Sequence, residues 1–222
     1  MNRNTVTTIG HSESVLATNK VLRNTYMLLG LNFLFSALTA AFSLNAAPLN
    51  PLVALVLIYG LMFLTNYLRN SIWGLASIFA FTGVMGYTLG PILNLYIHGF
   101  ANGPQLIATA LGGTGLIFFG LSGYALTTRK DFSYLNGFVV IAMLVAVFAM
   151  IAGIFIQLPG LQLGIAAVFM LLSSAIILMQ TSAIINGGET NYIMATITLF
   201  VSIYNLFISL LQILGAFSNN RD

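Results

Sequence analysis

The 23 or so residues that follow Tyr192, through Gly215, carry no charged side chain. At a rise of ~1.5 Å per residue, ~20 apolar residues in a helix cross the hydrocarbon of a bilayer. Within this stretch the polar and small residues are ordered. Asn191, Ala195, Thr198, Ser202, Asn205, Ser209 and Gln212 recur at alternating steps of four and three, which sets them along one helical face. In lipid, helices associate through small and hydrogen-bonding side chains, because Leu against Leu gains little over Leu against an acyl chain. A hydroxyl or amide left facing lipid is unsatisfied, at a cost of a few kcal/mol. Thr196 and Tyr204 add polarity on other faces. The pattern predicts a helix held inside a bundle.

Six further apolar segments precede it, at 25–44, 51–68, 72–97, 104–126, 134–156 and 160–186, with the last at 192–216. Charged residues make up only 5% of the 222-residue chain, so nearly every residue is committed to the spans. The predicted fold class is an all-α integral membrane protein. It has seven transmembrane helices, with the seventh inside the bundle and not on its rim. Residues 1–24 are polar and read as a flexible tail, residues 25–216 as the transmembrane domain, and residues 217–222 as a short C-terminal tail. The first span's apolar core is long for a cleaved signal peptide, and Pro48 follows its small-residue site at Ala46-Ala47.

With seven spans, Arg3, Lys20, Arg23, Arg69, Arg129 and Lys130 fall on one side and only Arg221 on the other. That bias puts the N-terminus in the cytoplasm and the C-terminus outside. Arg23, Arg69, Arg129 and Lys130 are read as topology anchors that meet the headgroups of the lipid bilayer. Because the cations sit at span ends and form no single patch, the net charge of +3 does not point to nucleic acid. Glu189 follows Gly187-Gly188 at the start of the seventh helix. A carboxylate there stabilises the helix N-terminus, and Thr190 or Asn191 is positioned to cap it.

The third span contains Gly83, Gly86, Gly90 and Pro91 and is expected to tilt or kink at Gly90-Pro91. The fourth carries Gly112, Gly113, Gly115, Gly120 and Gly123, expected to let a neighbouring backbone approach closely. His11 and His98 are isolated, and no cysteine is present, so no metal or cofactor set is expected. No histidine lies in a span to activate a serine, and no nucleotide loop or HExxH motif occurs, so catalysis is not expected. A solute transporter would call for intramembrane charge, which is missing.

Gly86-x-x-Leu89-Gly90-Pro91-x-Leu93, with Ile107-Ala108, Thr114 and Phe118 beyond it, resembles the Bax-inhibitor-type (transmembrane Bax inhibitor motif) family. Five further blocks are similar to bacterial members: Lys20 to Tyr26, Tyr59 to Thr65, Leu126 to Asp131, Gly187 to Ile193, and Tyr204 to Phe207. The resemblance implies a seven-helix protein of the bacterial inner membrane with the seventh helix central and surrounded by the other six. The C-terminus, placed outside by the charge count, then lies in the periplasm. It also implies a modulator that restrains the ATP-dependent membrane protease FtsH, in company with HflK/HflC, and is handled through its N-terminal tail. Other family members leak calcium under control of two carboxylates, one in each of the last two spans. Those positions correspond to Gln180 and Asn205 here. Two carboxylates sharing a proton switch with pH, whereas two amides only form hydrogen bonds. A cation leak is therefore the alternative reading, impaired or without pH gating. The plainer role for Gln180 and Asn205 is a buried polar clasp. Counted along the helices, though, they stand ~9 and ~20 Å from the cytoplasmic face, so a clasp needs a tilt.

Overall fold

The computed structural model describes residues 4–155 and 159–219. Seven long helices account for nearly all of them: α1 (Asn4–Phe42), α2 (Pro51–Leu68), α3 (Trp73–Gly99), α4 (Gly103–Thr128), α5 (Asn136–Phe155), α6 (Pro159–Ile185) and α7 (Tyr192–Asn219). A 3₁₀ turn, Ser133–Leu135, leads into α5. All seven are long and apolar enough to cross a membrane, and the short connections make consecutive helices antiparallel.

The first boundary differs from the one read from composition. α1 is a single helix from Asn4, running through the segment read as a flexible tail, and its span begins at Thr18. Nucleation is the costly step of helix formation, so a helix anchored by an apolar span propagates into polar sequence. Val21 and Leu22 pack against the core, and Thr25 is fully buried. At the other end α7 continues to Asn219, and residues 220–222 lie outside the described residues. So do Arg3 and Arg221, and the side chain of His11.

α7 is the most enclosed helix, with half of its span buried against 6% for α2 and 11% for α5. Among the described residues it packs on α1, α2, α3, α4 and α6, which is five neighbours where six were expected. Among the described residues α5 touches only α6 and the 3₁₀ turn. From Phe138 to Ala152 it carries no polar side chain, so it gains nothing by reaching the centre that lipid does not already offer. The core forms where aromatic side chains of α1, α3 and α7 meet. Phe200 stacks on Phe33 at a centroid distance of 4.8 Å and meets the edge of Phe81 at 6.3 Å.

The glycines divide against expectation. Those of α3 make the close approach: a Cβ on Gly86 would overlap Ser36 O and Thr39 Oγ1, and one on Gly90 would overlap Ser43 Oγ and Ala40 O. α1 and α3 are thus in backbone contact, and α3 runs through Pro91 as one helix. The α4 glycines were expected to do this and do not. Gly112, Gly115, Gly120 and Gly123 have nothing within 4 Å of a built Cβ, and Gly113 meets only Leu210 Cδ1 at 3.5 Å. α4 turns Ala110, Thr114, Phe118, Ser122 and Ala125 inward, while Gly112 and Gly120 are exposed and Gly113, Gly115 and Gly123 half-buried.

Candidate functional site

The connections α2–α3, α4–α5 and α6–α7 all lie at one end of the bundle, and side chains of the α6–α7 region tie the three together. α6 ends in a left-handed Gly187 at φ +76°. Gly188 N–H donates to Ala183 O (2.8 Å) and Gly187 N–H to Ile184 O (3.3 Å), which satisfies carbonyls the helix end leaves free. Glu189 Oε1 accepts from Asn191 N–H at 2.8 Å and places its charge at the positive end of α7. Asn191 Oδ1 accepts from Ile193 N–H (3.0 Å) and Met194 N–H (3.1 Å), so Asn191 is the cap. Thr190 is exposed and does not cap. The Asn191 Nδ2 amide also reaches the α2–α3 turn, donating to Arg69 O and Asn70 Oδ1 at 3.0 Å each.

The second tie is one the sequence reading did not anticipate. Ser182 Oγ, near the end of α6, donates to Lys130 O (2.7 Å) and accepts from Phe132 N–H (3.2 Å). Asn186 Nδ2 donates to the same carbonyl (3.4 Å) and to Ser182 Oγ (3.2 Å). Its only trace in the sequence is a hydroxyl four residues before an amide at a helix end. α4 closes on Arg129, whose φ of 50° is left-handed and whose N–H donates to Ala125 O. The side chains of Arg23, Arg69, Arg129 and Lys130 are exposed, and Arg69 Nη1 donates to Asn66 Oδ1 at 3.4 Å. The product is a hydrogen-bonded platform of three turns presenting cations to solvent or headgroups.

Inside the bundle the polar face of α7 is only partly enclosed. Ala195, Ser202 and Ser209 are buried, Thr198 and Asn205 are half-buried, and Gln212 is exposed. Gln212 is therefore corrected as a seam residue; it lies two turns from the end of α7, where an amide can reach polar surroundings. Ser202 Oγ donates back to Thr198 O (2.8 Å) and not to a neighbour. The links between helices lie on the other face. Thr196 Oγ1 donates to Tyr192 O (2.7 Å) and Thr25 O (3.3 Å), joining α7 to α1. Tyr204 and Thr88 share a hydrogen bond of 3.5 Å. Between α1 and α3, Thr82 Oγ1 donates to Asn32 Oδ1 at 2.7 Å, with both residues fully buried.

Gln180 and Asn205 are not joined by a hydrogen bond among the described residues, so the clasp does not form. Gln180 Nε2 is buried without a partner, as is Thr25 Oγ1. Beside Gln180, Thr181 Oγ1 shares hydrogen bonds with Tyr26 (3.4 Å) and Ser122 (3.5 Å), linking α6 to α1 and α4. The four acidic residues of the chain, Glu13, Asp131, Glu189 and Asp222, all fall outside the spans. The interior is a set of neutral hydrogen-bonding groups that fixes helix register and has nothing to ionise near neutral pH.

The chain is 60% identical to an uncharacterized protein of Pseudomonas aeruginosa over 88% of each chain. It is 54% identical to the Modulator of FtsH protease YccA of Escherichia coli K12, over 91% of this chain and 92% of that one. A protein of Escherichia coli O6:H1 with the same identity is named Inner membrane protein YccA. The model of the family described as Inhibitor of apoptosis-promoting Bax1 matches residues 18–219, from the first residue of the α1 span to the last residue of α7, and the chain belongs to that Bax-inhibitor family.

Proposed function

We propose that this chain is a non-enzymatic regulator that binds and restrains an FtsH-type ATP-dependent protease in the bacterial inner membrane. The observation that carries the reading is 54% identity, over nine-tenths of both chains, to a protein named as a modulator of that protease. The platform of three tied turns supports it physically. A regulator must present a fixed surface, and here Asn191, Ser182 and Asn186 hold the turns while the cations stay exposed. In this reading the residues ahead of Thr18 lie in the cytoplasm with the platform, and the chain's C-terminal end lies in the periplasm. The positive-inside distribution supports that orientation. HflK/HflC belong to the same assembly.

Affinity capture of the full chain from native membranes in mild detergent tests the reading. FtsH is expected in the eluate, and deletion of residues 2–20 is expected to lengthen the chain's lifetime in cells. An eluate without the protease, together with unchanged turnover, would remove the basis of the proposal. The calcium-leak alternative has less support, because Gln180 and Asn205 stand where the family's leak proteins carry acids and no carboxylate lies within a span.

A further inference from the structure

The turn between α2 and α3 has its hydrogen-bonding direction fixed from α7. Ile193 N–H and Met194 N–H can only donate, so Asn191 meets them with Oδ1 and turns its Nδ2 to the loop. That Nδ2 can only donate, so Asn70 receives it on Oδ1 (3.0 Å), and Asn70 Nδ2 is left without a partner among the described residues. One residue on, Ser71 Oγ accepts from Trp73 N–H (3.3 Å), which leaves its hydroxyl proton to donate elsewhere. Arg69 Nη1 donates to Asn66 Oδ1 at 3.4 Å, and the rest of the guanidinium has no partner among the described residues. The loop is tight: Ser71 N–H donates to Leu68 O (2.8 Å), and a Cβ on Gly74 would stand 2.6 Å from that oxygen. Arg69, Asn70 and Ser71 therefore form one short exposed loop of outward donors, in a chain with no acidic residue between Glu13 and Asp131. Glu189, on the neighbouring loop, has its Oε1 on Asn191 N–H. Tyr67, Ile72 and Trp73 flank the donors and are 86%, 79% and 68% exposed. At the ends of two spans, such aromatic and apolar side chains lie between hydrocarbon and headgroups.

We infer that this loop is a binding site for one anionic phospholipid, whose headgroup phosphate takes the donors of Arg69, Asn70 and Ser71. A phosphate oxygen only accepts, which matches side chains left only with donors, and the flat guanidinium fork spans two such oxygens. A zwitterionic headgroup fits less well, because its ammonium finds no acceptor here and is repelled by Arg69. The surround selects a lipid over a soluble anion. Phe63 and Tyr67, exposed one turn apart on α2, give an acyl chain a surface beside the phosphate, which a free phosphate or an acidic peptide would leave uncovered. The Arg129-Lys130 turn has more positive charge, but Asp131 follows at once.

Trp73 is the only tryptophan of the chain, so its fluorescence reports on lipid beside this loop. The purified full chain, with no protease present, is placed in phosphatidylcholine vesicles that contain an equal share of dibrominated phosphatidylglycerol or dibrominated phosphatidylcholine, either of which quenches tryptophan on contact. Phosphatidylglycerol is expected beside Trp73 at about 5-fold over its share, the effect of one cation at an anionic surface. The preference should persist at about 1 M salt, where the Debye length is ~3 Å and general attraction is screened. Arg69→Gln should abolish it. So should Asn70→Asp, which keeps an oxygen for Asn191 Nδ2 and so holds the thermal midpoint, but turns a carboxylate outward. Arg129→Gln, on the neighbouring turn, should leave the preference in place. Equal quenching by the two lipids, or a preference that survives both Arg69→Gln and Asn70→Asp, would overturn the site. So would its loss in Arg129→Gln, which would show a general charge effect, or its loss to excess inorganic phosphate or poly-glutamate, which would show a soluble occupant.

Discussion

Replacing Asn191 by alanine removes two functions of one side chain. Its Oδ1 caps α7 through Ile193 N–H and Met194 N–H, and its Nδ2 ties α7 to the α2–α3 turn through Arg69 O and Asn70 Oδ1. Loss of an N-cap costs about 1 kcal/mol. The two amide bonds are exposed, so each is set at the low end of the usual range, about 0.5 kcal/mol. Asn191→Ala should therefore cost about 2 kcal/mol, or about 4–8 °C in thermal midpoint for a chain of this length. Asn191→Ser separates the two functions. Serine caps as well as asparagine but is too short to reach Arg69, so it should cost about 1 kcal/mol and half the shift. Aspartate is the poorer choice, because its charge would lie beside Glu189, whose Oε1 already accepts from the backbone N–H of residue 191. Thermal unfolding of the purified variants in detergent measures both. In the Asn191→Ser background, Asn70→Ala should cost nothing further, since the bond it would break is already gone. Serine as harmful as alanine, or an additive loss at Asn70, would refute the division of roles.

The glycines offer a contrast within one helix bundle. Gly86→Ala places a Cβ on Ser36 O and Thr39 Oγ1 and should lower stability by about 1–3 kcal/mol, while Gly120→Ala, with nothing within 4 Å, should leave it unchanged or raise it by up to about 1 kcal/mol; melting in detergent reads both. Gln180→Met removes a buried amide nitrogen that has no partner, so the thermal midpoint should hold or rise, and a clear fall would show that the amide is satisfied in the membrane. In proteoliposomes, calcium flux should not change between about pH 6 and about pH 8, because the two amides have no proton to exchange in that range.

The spans were legible because a run of apolar residues with no charge has few ways to fold. All seven segments appear, and α2 matches its predicted limits, Pro51 to Leu68. Ends were less legible where polar residues adjoin a span: whether Lys20 to Asn24 continue a helix depends on what Val21 and Leu22 can touch. Periodicity placed the small residues of α7 on one face, and three of them are buried. It could not say which neighbour lies against that face, so Thr196, on another face, makes the link to α1. A glycine-rich helix is equally consistent with a backbone at close quarters and with none nearby. α3 takes the first course and α4 the second, and the difference lies in what stands opposite. Asn191 as a cap was readable from its place before an apolar run. Its bond to Arg69 O and the Ser182 bond to Lys130 O join residues 122 and 52 positions apart, a separation at which local pattern carries no information.

The most direct test of the regulatory account is reconstitution. FtsH and a membrane-protein substrate are placed in vesicles with ATP, and degradation of the substrate is followed as this chain is added. The account predicts that degradation slows as the chain saturates the protease, and that a soluble substrate needing no lateral access through the bilayer is spared the effect. Degradation of the membrane substrate at an unchanged rate, with the chain present in excess and correctly folded, would contradict it.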